Sequence, residues 1–317
     1  MAQILAAAAA TMAVLAGGLA LYSFAAGRIA ERRVPPLGRF LDLRGARLHY
    51  LTMGTGPAVV LVHGLTGQLR DFTYALAEQL AADHRVILFD RPGSGHSAWR
   101  RRGDRGIAAH AAILREFLQV LGLERPLVVG HSLGGAVALK LAIDHPDAVG
   151  GLGLICPLTQ PVEEAPPMFR ALMIESDAKR WLLSHTLAVP VGKLRRGEIA
   201  RMLFAPDAVP ADYGLGGGAL LKDRASVFRT ASREVLSVQA EMPGIAEDSG
   251  TIGVPVAILF GRGDGVLDPS VHGERTAAGL QHGSLTLVDG GHMIPATRPE
   301  AVAAWLRGVA QTANGPE

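Results

Sequence analysis

The chain predicts an α/β fold: a mostly parallel central sheet flanked by helices, interrupted by a helical cap insertion. Three observations lead there. Short apolar runs of strand length alternate with helix-period stretches from about residue 58 to residue 143, the pattern of a parallel sheet with helices on both faces. The alternation stops near residue 158, where prolines, Gly216-Gly217-Gly218 and short helical patterns take over, and it resumes near residue 256. Of the 317 residues, 49% are apolar and 19% charged, which allows a large core and excludes wholesale disorder. The expected organisation is an N-terminal apolar segment and flank at 1–33, a first core part at 34–157, the cap at 158–250 and a second core part at 251–317.

Residues 4–26 carry no charged side chain, and Arg28, Arg32 and Arg33 follow. About 20 apolar residues suffice to span a bilayer as a helix, so the segment predicts a single-pass membrane anchor. The flanking arginines predict a folded domain facing the cytoplasm. A cleaved secretory signal, leaving a secreted or periplasmic protein, is the competing reading, since Ser23-Phe24-Ala25 has the form of a small-x-small cleavage site. Against it, no Lys or Arg precedes the apolar core, and that core is longer than a signal peptide needs.

After Val34-Pro35-Pro36, short strands are expected at 40–43 and 47–52. The continuous run at 58–62 reads as a strand buried on both faces. Helical spacing covers 72–81, strand character returns at 86–89, and 107–121 is helical with Ile113, Leu114, Phe117, Leu118 and Leu121 on one face. A strand at 127–129 and a helix at 136–143 follow. Beyond the cap, strands are expected at 256–260 and 285–288, and a closing helix at 301–309.

Ser132 stands at the centre of this pattern, in Gly130-His131-Ser132-Leu133-Gly134, between a strand and a helix. A serine between two glycines at a sharp strand-to-helix turn is a nucleophile-elbow pattern, and the glycines remove Cβ atoms that would collide with neighbouring backbone. The turn also leaves backbone N–H groups at a helix N-terminus, where a developing oxyanion is stabilised. A serine hydroxyl needs a base within reach, itself oriented by an acid. Asp264, in Gly261-Arg262-Gly263-Asp264, and His292, in Gly290-Gly291-His292, follow the two strands after the cap. The Leu133 amide is one expected oxyanion donor; the Leu65 amide, in the turn His63-Gly64-Leu65, is the other.

These residues carry a resemblance. His63-Gly64, Asp90-Arg91-Pro92-Gly93-Ser94-Gly95-His96-Ser97, the Ser132 elbow, residues 261–264 and Gly291-His292 stand in the order of motifs in the α/β-hydrolase superfamily. From about residue 39 to residue 309 the chain resembles a serine hydrolase of that superfamily, with the cap the most divergent part. The resemblance implies an α/β-hydrolase fold, catalytic Ser132, Asp264 and His292, an oxyanion hole at Leu65 and Leu133, and cleavage of carboxylic esters of the esterase or lipase type. The membrane segment, and a cap rich in Met168, Phe169, Leu172, Met173, Trp181, Leu182 and Leu183, point to lipophilic esters such as monoacylglycerols or short-chain esters. The same cap residues at helical spacing equally suit the cap's own core. Similar proteins cleave carbon–carbon bonds or act as perhydrolases, and a non-enzymatic receptor that retains the triad is a further reading.

Other residues receive structural expectations. Asp268, followed by Pro269, reads as a helix N-cap, and Asp289 lies too near His292 in sequence to orient it. Asp90 is expected to organise its turn, His63 to shape the oxyanion loop and His131 to be a packed neighbour. No metal or cofactor is called for, since neither a zinc-helix histidine spacing nor a complete nucleotide-binding glycine motif occurs. Cys156, the only cysteine, follows Gly153-Leu154-Ile155 and reads as a buried, inert thiol. The cluster Arg100, Arg101, Arg102 and Arg105 reads as a solvated loop, so no nucleic-acid partner is expected at a net charge of +2.

Overall fold

A computed structural model describes residues 1–100, 103 and 105–313. Arg101 and Arg102 of the basic cluster lie outside the described residues, and Arg100 is paired with Asp42 at 2.6 Å. The strands are β1 (Arg39–Asp42), β2 (Ala46–Met53), β3 (Ala58–Val62), β4 (Arg85–Phe89), β5 (Ala98–Trp99), β6 (Leu127–His131), β7 (Gly151–Ile155), β8 (Val256–Gly261) and β9 (Gly283–Val288). They form one sheet in the order β1-β2-β4-β3-β6-β7-β8-β9, with β5 paired to β2. β1, β2 and β4 pair antiparallel, and every pairing from β4 to β9 is parallel.

The apolar run at 58–62 marks β3 as buried, and four of its five residues are so. β6 and β7 are buried along their whole length. β7 is a strand the sequence pattern does not announce, because Gly151 and Gly153 dilute its strand character. A Cβ on Gly153 would lie 3.0 Å from Leu306 Cδ2, so the glycine lets the closing helix approach the sheet. The expected helix over 72–81 is two short turns instead, Arg70–Thr73 and Ala77–Leu80.

The longer helices are α1 (Ala2–Arg33), α2 (Ile107–Val120), α3 (Leu133–Asp144), α4 (Asp177–His185), α5 (Ala188–Phe204), α6 (Ala225–Asp248) and α7 (Pro299–Ala313). β3 leads to β4 on one side and β6 lies on the other, so the chain changes direction at β3 and β6. Open α/β sheets bind ligands outside the carboxyl ends of strands at such a point. The turns holding Leu65 and Ser132 both lie there.

Helices α4, α5 and α6 occupy the insertion between β7 and β8. α6 joins insertion to core: Ala231 and Val235 pack with Leu172, whereas Met242 and Ile245 belong to the main core. The Glu241 carboxylate accepts the amides of Ile107 at 3.0 Å and Ala108 at 2.7 Å, satisfying two free N–H groups at the start of α2.

α1 is long and apolar enough to cross a membrane, by length and composition. Its final turns are not free: Ser23, Ala26, Gly27 and Ala30 are buried. Their i, i+3, i+4, i+7 spacing makes a stripe of small residues that packs against the insertion. Ser23 Oγ donates to Thr186 O at 3.2 Å, and Glu31 pairs with Arg224 at 3.0 Å.

Candidate active site

Ser132 adopts φ 55° and ψ −123°, a left-handed backbone that a non-glycine residue takes only at a cost. Surrounding bonds hold it there: its amide donates to Ile155 O at 3.1 Å, and its carbonyl accepts from Leu158 N at 2.9 Å. The flanking glycines are sterically required. A Cβ on Gly130 would stand 2.5 Å from Gly134 O, and one on Gly64 would stand 2.8 Å from Ser132 Cβ. The His63-Gly64 turn therefore runs directly against the serine.

The loops after β8 and β9 bring an acid and an imidazole together. His292 Nδ1 lies 2.7 Å from Asp264 Oδ2, with both side chains buried. Asp264 Oδ1 accepts the amides of Val266 at 2.8 Å and Leu267 at 3.1 Å. Burial alone would raise the Asp264 carboxyl, but His292 and these amides outweigh it and hold it below the usual range. The His292 carbonyl accepts from His131 Nε2 at 3.0 Å, and the two rings lie 5.0 Å apart. His292 thus rests against the residue beside Ser132. Among the described residues no hydrogen bond joins Ser132 Oγ to His292, a contact that often tightens only when substrate binds.

Cys156 lies behind this pair, and its sulfur and the Asp264 and His292 ligand atoms fall within 4.8 Å of one another. Asp264 and His292 spend their facing atoms on each other. Burial, with Asp264 nearby, drives the thiol pKa well up, so the thiolate that a soft metal prefers is disfavoured.

The turn after β3 is braced by Arg91, a fully buried cation. Arg91 Nε donates to His63 O at 2.9 Å, and its Nη2 to Gly64 O at 2.8 Å. His63 Nδ1 donates to Gly64 O at 2.8 Å, while its Nε2 accepts the Arg91 amide at 2.8 Å. Burial, reinforced by Arg91, pushes the His63 imidazole down to about 3, so it stays neutral. Arg91 Nη1 then pairs with Glu234 of α6 at 2.5 Å. Burial would raise Glu234, but Arg91 and His110 pull it down to about 2. The amides of Leu65 and Leu133 donate to no protein acceptor among the described residues, which leaves both available to a ligand.

An apolar pocket opens over Ser132, with a cavity volume of about 70 Å³ and a mouth open to solvent. Leu65, Leu133, Leu158, Phe169, Val235 and Leu267 line it, and among the described residues Gln239 is the one polar side chain there besides Ser132. Of the apolar cap residues singled out in the sequence, only Phe169 reaches this pocket. Leu172 packs inside the insertion, while Met173, Trp181 and Leu182 are exposed.

Other expectations resolve individually. Asp268 Oδ1 accepts the Ser270 amide at 2.8 Å, and Asp289 is exposed beside Arg262. Asp90 accepts the amides of Leu69 at 2.8 Å and His96 at 2.7 Å, bracing its turn. His96 Nε2 donates to Val34 O at 2.9 Å, so it braces the same turn. The Arg91–Glu234 contact escaped sequence reading: its partners are 143 positions apart, and no local pattern links them.

A family model for the alpha/beta hydrolase fold matches residues 57–189. A Caulobacter sp. protein provisionally named carbamate hydrolase RutD is 30% identical over 266 residues, covering 78% of this chain and 90% of its own. The acetyltransferase component of the acetoin cleaving system from Cupriavidus necator is 35% identical over 141 residues, 44% of this chain, which matches only 37% of that protein's length. Among solved structures, an alpha/beta hydrolase fold protein from Burkholderia ambifaria superimposes with a TM-score of 0.70 at 22% identity, covering 86% of this chain and 98% of its own.

Proposed function

This chain belongs to the α/β-hydrolase family, and we propose that within it the protein is a serine hydrolase that cleaves lipophilic carboxylic esters through an acyl-enzyme on Ser132. The observation that carries this reading is an elbow serine at an apolar pocket, with two uncommitted amides beside it and the Asp264–His292 pair in the adjoining loops.

The chemistry follows from which atoms are already engaged. Because His292 Nδ1 donates to Asp264, its Nε2 carries the lone pair and serves as general base. It removes the Ser132 proton as Oγ attacks the ester carbonyl. The Leu65 and Leu133 N–H groups bind the oxyanion, and losing one such donor typically costs about 10²–10³ in rate. The imidazolium, stabilised by Asp264, then protonates the leaving alcohol. Water, deprotonated by the same nitrogen, attacks the acyl-enzyme, releases the carboxylic acid and restores Ser132.

The substrate class rests on the pocket walls. Apolar side chains surround the space above Ser132, so an acyl chain is favoured there and a charged group is penalised by desolvation. Helix α1, in this reading, anchors the enzyme in a bilayer, with the arginines at 28, 32 and 33 on the cytoplasmic side.

A fluorophosphonate probe is expected to label Ser132, and Ser132→Ala to remove both labelling and steady hydrolysis of p-nitrophenyl esters. A chain-length series then locates the preferred acyl group. Labelling that persists in Ser132→Ala, or one acyl transfer followed by stalled release, overturns the hydrolase reading; the second result points to a ligand receptor.

A further inference from the structure

α1 enters the insertion with no linker. It is one continuous helix from Ala2 to Arg33, and its small-residue stripe from Ser23 to Ala30 is packed against the protein. Residues 2–15 are exposed, and Ala16, Leu19 and Ala20 carry the docked stripe upward as partly buried positions. As a helix, residues 2–22 are about 31 Å long, close to the hydrocarbon thickness of a bilayer. If they span it, the membrane surface falls at Tyr22 and Ser23. At that level α1 meets the corner between α4 and α5. Ser23 bonds to Thr186 O, and Lys193 Nζ stands 5.3 Å from the Tyr22 ring. An aromatic ring and a lysine are residues that favour the headgroup zone.

The same corner is where the folded domain leaves apolar side chains uncovered. Outside α1, most of the large exposed hydrophobic residues lie between Met173 and Leu194: Trp181, Leu182, Leu187, Val191 and Leu194, with Leu194 86% exposed. Leu187, the N-cap of α5, and Val191 and Leu194 within it are spaced i, i+4, i+7, so they lie along one side of the helix. They line no part of the pocket over Ser132. On α5, Arg195 pairs with Glu198 and Arg196 with Asp223, which leaves Lys193 and Arg201 as the cations that face an anionic leaflet.

We infer that the corner between α4 and α5 is a membrane-binding surface, sunk into the headgroup and acyl boundary of the leaflet from which α1 emerges. The inference rests on α1 spanning the bilayer. It gives the exposed apolar residues an occupant and sets the insertion, with the pocket beneath it, at the lipid surface.

The test uses the full-length chain in vesicles of phosphatidylcholine and phosphatidylglycerol, with a nitroxide at one introduced cysteine; native Cys156 is buried. Labels at Leu187→Cys and Leu194→Cys are compared with Val14→Cys in α1 and Gln281→Cys at the opposite end of the sheet. Collision with a water-soluble nickel chelate is expected to fall several-fold at 187 and 194 relative to 281, while collision with oxygen rises. Val14 shielded from nickel, with 187 and 194 as accessible as 281, overturns the membrane surface and leaves the anchor standing. Nickel access at Val14 overturns the anchor and the surface together. Shielding at 187 and 194 from both reagents, with spin–spin broadening, assigns the face to a second copy and overturns the lipid assignment.

Discussion

Two buried histidine–aspartate pairs in this molecule share one geometry and differ in what the far ring nitrogen meets. His49 Nδ1 lies 2.7 Å from Asp90, as His292 Nδ1 does from Asp264. Each carboxylate also accepts two backbone amides, and each is held below the ordinary range against its own burial. His49, however, gives its Nε2 to the Leu37 carbonyl, so both ring nitrogens are engaged. No described residue takes Nε2 of His292. An aspartate–histidine pair is therefore a structural unit first, and it becomes reactive only where one nitrogen is left open beside a nucleophile.

Alanine at each histidine tests that distinction most strongly. His292→Ala is expected to lower kcat by at least about 10⁴-fold, and it also costs stability because it leaves the buried Asp264 charge without its partner. His49→Ala is expected to cost a comparable amount of stability, about 3–5 kcal/mol for the unpaired Asp90 charge, while kcat of the folded enzyme is retained. Ester turnover per labelled active site, measured beside thermal unfolding, separates the two. A stable His49→Ala protein without activity would erase the difference between the pairs.

The acids sharpen the same comparison with a smaller expected effect. Asp264→Asn loses the charge that stabilises imidazolium and favours the wrong tautomer, so kcat is expected to fall by about 10³–10⁴-fold with KM little changed. Asp90→Asn turns an amide NH₂ toward backbone donors, since the Leu69 and His96 amides occupy opposite oxygens of Asp90. Its expected loss is about 1–3 kcal/mol of stability, with kcat of the folded enzyme retained. Chemical denaturation and steady-state kinetics on both variants read these effects.

Much of this arrangement is legible in the sequence, for a definite reason. Residues 132, 264 and 292 each follow an apolar run of strand length, and in a parallel sheet such positions gather at one end. The Asp90–His49 and Arg91–Glu234 contacts are not legible, since side-chain pairing between distant segments leaves no periodic trace. The cap residues show the same limit. Helical spacing marks Phe169, Leu172 and Trp181 as apolar positions but does not say which arc faces the pocket, the cap interior or the outside. β7 was hidden by glycines that serve the packing of α7, a requirement set by the helix rather than by the strand. The uncharged stretch ends just before Arg28, yet α1 continues to Arg33, because its charged last turns are docked through Ala26, Gly27 and Ala30.

Histidines lacking an aspartate partner complete the comparison through pH. His63 and His131 are pushed down to about 3 and His272 to about 4, each mainly by burial. Below the ordinary histidine pKa near 6.5 the unfolded chain binds protons that these folded imidazoles refuse, so acidification favours unfolding. Each contributes a slope of about 1.4 kcal/mol per pH unit, hence about 2 kcal/mol apiece between pH 6.5 and 5. Asp90 and Asp264 act in the opposite part of the scale: their folded values are depressed, so their stabilisation is present above about pH 4 and is lost only as pH falls further. Unfolding midpoints measured in detergent are therefore expected to drop steeply from pH 7 to 5, above the range in which Asp90 and Asp264 take up protons. His131→Gln, which cannot take up a proton, is expected to reduce that slope by roughly 1.4 kcal/mol per pH unit whatever it does to stability at pH 7. A variant with the parent's slope would mean that His131 accepts a proton in the folded state, which would set a positive charge 5.0 Å from the His292 ring.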